Sequence, residues 1–255
     1  DLDLLGVLKW FKRESRMEHD NSEDAVTWNF FRYLEKADQL SAYLSSMIGS
    51  PVGSAEFIYW SYCQQRDGVW PGLAEARDEF GEGLERGSEP DLIIVTDKAL
   101  FWIEAKITVS NETPRSPDAD KKKYQTGGKG WYERVFRADY ETVVTKEKKY
   151  ELMRFWLLGS WAEAQMKRDF YLVNLVLAER EQDIANRFGR HLKTNAKRSV
   201  VRWTWEAIYE FVSKNAPPSR DKQMIITYFE NKTVGYKQAR KSQGWEPQLA
   251  FSLDK

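Results

Sequence analysis

The sequence holds a single cysteine, Cys63, in 255 residues. That excludes an intramolecular disulfide framework and any metal site built from cysteine clusters, and it fits a reducing, cytoplasmic compartment with Cys63 as a buried thiol. Histidine is nearly as scarce. His19 and His191 stand far apart with no metal-ligand spacing around them, so surface or capping roles are the default for both. Net charge is absent too, with 39 Lys and Arg against 39 Asp and Glu. There is no overall basic field, and any surface for a polyanion must be local. No stretch approaches the roughly 20 apolar residues that span a bilayer, and the amino terminus lacks the charged-then-apolar layout of a secretion signal. No membrane partner is expected. Internal repeats and low-complexity linkers are also missing.

What is present is an ordinary globular balance, 42% hydrophobic and 31% charged, in a chain long enough for one substantial core. A single domain over 1–255 is expected, with its core at about 21–215 and a helical, basic extension over 216–255. Aromatic residues reach 14%. Most belong in a core, and some can stack on bases or on a partner.

Val26, Phe30, Leu34 and Ala37 recur at helical steps, predicting one helix from Ser22 to about Met47 with Asn21 or Ser22 as N-cap. A strand, or a short helix, is expected from Ala55 to Cys63. The clearest hairpin follows: Asp91-Leu-Ile-Ile-Val95, a polar turn at Thr96-Asp97-Lys98, then an apolar strand over 100–107. Residues 110–130, with Pro114, Pro117 and a Gly-Gly-Lys-Gly run at 127–130, read as a long surface loop. That run lacks the spacing of a phosphate loop and the Ser or Thr after its lysine, so it reads as a flexible turn. Further on, a helix over 146–167, a strand over 170–177, a helix over 182–192, a strand over 200–205 and a helix over 206–214 alternate. Such alternation implies a partly parallel sheet in an α/β fold. A last helix is expected near 224–230, before a run containing Lys237, Arg240 and Lys241.

Chemistry concentrates in the hairpin. Strand side chains alternate faces, so Glu104 and Lys106, flanking Ala105, share one face. A hairpin centred near Asp97 and Lys98 returns Asp91 beside Glu104. Two carboxylates among apolar neighbours repel each other, and a divalent cation between them relieves the repulsion. Oxygen ligands with retained waters suit Mg²⁺ or Mn²⁺. Such an ion stabilises charge on a phosphate and acidifies a bound water, while Lys106 holds that water or the phosphate.

Glu89-Pro90-Asp91, an apolar hairpin, then Glu104-Ala105-Lys106 resembles the PD-(D/E)XK motif of the restriction endonuclease-like nucleases. The resemblance implies a restriction endonuclease-like core, with a central mixed β-sheet flanked by helices, and divalent-metal cleavage of DNA, or of RNA. It makes Asp91 and Glu104 metal ligands and Lys106 the catalytic lysine. Many relatives of this kind also place an acid on the first core helix, here Glu23 or Asp24. At 100° per residue Glu23 shares the stripe of Val26, Thr27, Phe30 and Leu34 while Asp24 points aside, so Glu23 is the expected third metal ligand. Some relatives use residues of the helix after the lysine strand, for which Tyr124, Gln125, Tyr150 and Arg154 are the local candidates. A homodimer would suit an enzyme that cuts both strands.

The alternative is a catalytically inactive nucleic-acid-binding or interaction module on the same fold. A glycoside hydrolase would need neither Lys106 nor a metal, and nothing in the sequence suggests a sugar cleft. Basic clusters at 121–123, 146–149 and 193–202 either contact phosphates or form solvated faces.

Overall fold

The chain is seen in a computed structural model that describes residues 2–12, 17, 19–83, 87–115, 121–241, 244 and 246–253. Helices α1 (Leu2–Lys12), α2 (Glu23–Lys36) and α3 (Leu40–Ile48) precede strands β1 (Ala55–Tyr59), β2 (Tyr62–Cys63) and β3 (Gly68–Val69). Helix α4 (Pro71–Glu79) leads to the hairpin β4 (Leu92–Thr96) and β5 (Ala99–Ala105), then α5 (Lys121–Gln125), α6 (Gly127–Val135) and α7 (Tyr150–Met166). The rest runs β6 (Asp169–Val176), α8 (Ile184–Arg187), β7 (Arg198–Thr204), α9 (Trp205–Asn215), α10 (Arg220–Asn231), β8 (Thr233–Val234), α11 (Tyr236–Lys241) and β9 (Gln248–Leu249).

Seven strands make one mixed sheet in the order β3-β2-β1-β4-β5-β6-β7. The β1, β4 and β5 pairings are antiparallel, and β5, β6 and β7 are parallel. Every residue of β4 and β5 is buried, because helices cover both faces of the sheet at these central strands. Leu92, Ile94, Phe101 and Ile103 pack with Phe30, Leu34, Tyr43, Ile208 and Phe229, residues of α2, α3, α9 and α10. Ile93, Val95, Leu100 and Trp102 turn to the opposite face, against Leu73, Phe155 and Trp156 of α4 and α7. Each such buried side chain contributes roughly 1.5–3 kcal/mol, and the two cores clamp the hairpin from both sides. The fold is thus α/β, with a central mixed sheet flanked by helices.

Several elements differ from the sequence reading. The helix expected through to Met47 is two helices, broken after Lys36 where Asp38 takes a left-handed conformation (φ 53°). The strand over 55–63 turns sharply at Trp60 and Ser61, both left-handed, into β2. The 110–130 stretch is not one loop: it contains α5 and the start of α6, and residues 128–130 are all left-handed. Gly128 meets the Phe80 ring so closely that a Cβ would fall 2.2 Å from its Cε1. This glycine serves packing as well as backbone freedom. The helix expected over 182–192 shrinks to α8 and a 3₁₀ turn. Residues 84–86 of the loop before Asp91, Pro117 of the insertion and the side chains of Lys121 and Lys237 lie outside the described residues.

The segment after 215 packs into the core under α2: Ile225, Phe229, Ala250 and Phe251 belong to it. Its backbone also reaches the turn that opens α2, where Gly235 N donates to Asn21 Oδ1 (3.2 Å) and Tyr236 N to the Asp20 carboxylate. Among the described residues no helix is long and apolar enough to cross a membrane.

Candidate active site

Strand β5 ends where its ladder meets three anchors. The Ala105 amide donates to Asp91 Oδ2 (2.8 Å), the Lys106 amide to Leu175 O (2.8 Å) and the Ile107 amide to Glu23 Oε1 (3.0 Å). The Trp205 indole also donates to Lys106 O (3.2 Å). Backbone groups at a strand end must find partners, and two of the partners here are carboxylates.

The β4–β5 register pairs Leu92 with Ile103, so one further step sets Asp91 opposite Glu104. The β5–β6 and β6–β7 registers continue that line through Asn174 to Arg202. A polar row therefore crosses the sheet on the face that packs against α7. Glu104 is 2% exposed, and its carboxylate is in contact with the Lys106 ammonium. Glu151, in the first turn of α7, adds a carboxylate 3.6 Å from Lys106 Nζ.

These groups open into a cleft of about 810 Å³ whose walls include Glu23, Asp24, Glu89, Asp91, Glu104, Lys106 and Glu151. Burial and the neighbouring Asp91 carboxylate push the Glu104 carboxyl well above its usual range, against the pull of Lys106. Burial alone would lower Lys106, yet Glu104, Asp91 and Glu151 together hold it above the usual lysine range. Lys106 is an ammonium here, a donor with no acceptor function.

The structure brings Asp91, Glu104, Lys106 and Glu23 to one cleft. Asp24 lines the same cleft. The turn at 19–22 and the first residues of α2 all line the wall, so the helix meets the cleft end-on, and Asp24 is buried at 8% exposure. Azimuth around the helix separates side chains on its flank, not at its tip. Ser22 is the N-cap, accepting Ala25 N at 3.0 Å.

Of the helix candidates, Arg154 and Tyr124 join a buried group behind Asp91. Arg154 Nε donates to Ser88 Oγ (2.9 Å) and lies 3.4 Å from Glu82 Oε1, which also accepts from Tyr124 (2.7 Å). Arg77 donates to Ser88 O (2.9 Å). Burial opposes ionisation of Glu82, but Arg154 and Ser88 hold it below the usual carboxylate range. Gln125 lines a separate pocket. Glu151, Glu82 and Asn174 escaped the sequence reading. Glu151 is the acid of α7's first turn, but periodicity carries no sign that this turn meets the end of β5.

Two members of the basic clusters have internal roles, while Lys122, Lys146, Lys148, Lys193 and Lys197 are exposed. Lys149 is fully buried, donating to Asn111 O and Glu181 Oε1, both at 2.9 Å, and Asn174 joins the same network through Glu181 (3.0 Å). Arg202 donates to the carbonyls of Leu177, Ala178 and Arg180. His191 is buried beside Glu147, at 3.4 Å, while His19 lines the cleft.

The donor set of the cleft, carboxylate oxygens with Asp91 and Glu104 as mutually repelling neighbours, suits a hard divalent cation in kind. Among the described residues no three His, Cys, Asp or Glu side chains group closely enough to hold an ion by themselves. Two carboxylates with retained water remain a sufficient protein contribution for Mg²⁺. Comparison with curated proteins finds no match, and neither does comparison with solved structures. The family model described as "Restriction Endonuclease associating with ARP" matches residues 4–232, a span that includes the whole seven-stranded sheet and every acid of the cleft. The chain belongs to that restriction endonuclease family.

Proposed function

We propose that the chain is a divalent-metal-dependent nuclease that hydrolyses phosphodiester bonds in DNA. The observation that carries this reading is the meeting of Asp91, Glu104 and Lys106 at the end of one hairpin, inside a cleft. Asp91 and Glu104 would hold Mg²⁺ or Mn²⁺, with Glu23 reaching the same cleft from α2. A bound ion stabilises negative charge on the phosphate and makes a bound water more acidic. Lys106, as an ammonium, donates to a phosphate oxygen or to the attacking water and so orients it. Burial of Glu104 and Lys106 strengthens these interactions by excluding water. Family membership supports nuclease chemistry in general terms, and the residues that share the cleft support the reading of this site.

Cleavage of labelled single- and double-stranded DNA with Mg²⁺ or Mn²⁺ tests the reading. Asp91→Ala and Lys106→Ala are each expected to lower the rate by about two to four orders of magnitude. A native protein that never cuts either substrate overturns it.

One observation favours a second reading, a DNA-binding module without catalysis. Lys106 occupies the Glu104 carboxylate, and among the described residues no three-ligand metal cluster exists. Salt-dependent DNA binding without cutting would select that reading.

A further inference from the structure

Lys106 has two carboxylate partners of different kinds. Glu104 sits on a central strand, its side chain 3% exposed, and touches the ammonium directly. Glu151 lies on the first turn of α7, its side chain 30% exposed, with Oε2 3.6 Å from Nζ. The Lys106 side chain is itself only 14% exposed. An ammonium so enclosed cannot be left without a counter-charge cheaply. It holds Glu104 Oε1, one of the two oxygens that the carboxylate could offer a cation shared with Asp91.

The charges close around this point. Asp91, Glu104 and Glu151 are the acids whose field acts on Lys106. Glu104 and Glu151 both stand within ion-pair reach of Lys106, so without Glu151 the ammonium would rely on the carboxylate that the ion takes.

We propose that Glu151 is a positioning residue for Lys106: it receives the ammonium when a divalent cation takes Glu104, so that metal and lysine occupy the cleft together. The inference rests on the nuclease reading above and adds a residue that acts through Lys106 rather than on the substrate. Glu151→Asp keeps the charge, whereas Glu151→Gln keeps the shape and removes it.

The test is a double-mutant cycle read by Mn²⁺ titration calorimetry on the full chain, without DNA, with thermal melting to verify folding. Glu151→Gln is expected to weaken Mn²⁺ binding by about ten- to a hundredfold, with Glu151→Asp restoring most of it. In a Lys106→Ala background the same substitution is expected to leave Mn²⁺ affinity unchanged, because the residue through which Glu151 acts is gone. Equal losses in both backgrounds, or no loss in either, overturn the inference. If Mn²⁺ binds and Asp91→Ala abolishes binding while Glu151→Gln does nothing, the inference alone fails. If the native chain binds no Mn²⁺, the metal-dependent reading fails with it. In the cleavage assay Glu151→Gln is expected to lower kcat with little change in KM, since Glu151 acts through Lys106.

Discussion

The Glu23 carboxylate accepts the amide of Ile107 at 3.0 Å, one residue beyond Lys106. A helix from one layer thereby fixes the backbone just past β5, whose charged side chains emerge on the other face of the sheet. One oxygen of Glu23 has a structural duty, and the cleft that it lines gives the second oxygen a place to act.

This arrangement separates two effects of Glu23. Glu23→Gln retains an oxygen for the Ile107 amide and is expected to leave the urea midpoint nearly unchanged while weakening Mn²⁺ binding. Glu23→Ala should also cost about 1–2 kcal/mol of stability for the orphaned amide. Equal metal affinity in native and Glu23→Gln protein would remove Glu23 from the ligand set.

Glu104 ties stability to pH. Its carboxyl is raised by burial and by Asp91, so the folded chain binds that proton more tightly than the unfolded chain does. This contribution to stability is complete below the usual carboxylate range and is lost as pH rises through the raised value. Urea midpoints without metal should therefore fall from mildly acidic to neutral pH, and Glu104→Gln should flatten that slope. An unchanged slope in the variant would place the titration elsewhere. Mn²⁺ competes with the same proton, so it should stabilise the native chain more at neutral than at acidic pH.

Glu82 behaves oppositely. Burial raises it, but Arg154 and Ser88 outweigh burial and hold it below the usual range. Its stabilisation is present above the usual carboxylate range and lost as pH falls through the lowered value. Glu82→Ala strands Arg154 and is expected to cost about 3–5 kcal/mol at neutral pH, a difference that shrinks in acid. Because Ser88 precedes Asp91 by three residues, cleavage should also fall. A loss below about 1 kcal/mol, the range of exposed pairs, would show that the cluster is hydrated rather than buried.

Gly128 tests packing remote from the chemistry. It is left-handed at φ 57°, and an added Cβ would collide with Phe80. Gly128→Ala should cost roughly 1–3 kcal/mol while Mn²⁺ affinity stays native. Native stability in this variant would mean that Phe80 can move aside.

Alternation along 100–107 was enough to put Glu104 and Lys106 on one face, and the polar turn at 96–98 was enough to return Asp91 opposite Glu104. Both follow from strand geometry, which is local and has a period of two. The alternation of strands and helices after residue 146 likewise announced the parallel half of the sheet. These features belong to the sequence itself because adjacent residues impose them. Other outcomes depended on elements far apart in the chain. Asp24 lines the cleft because α2 approaches end-on, which no helical wheel contains. Lys149, one of a basic run, is buried because Glu181 and Asn111 fold over it. Glu151 reaches Lys106 across 45 positions because α7 packs on the face of β5 that carries Glu104. Periodicity says which way a side chain leaves its own element, and only the packing of elements decides what it meets.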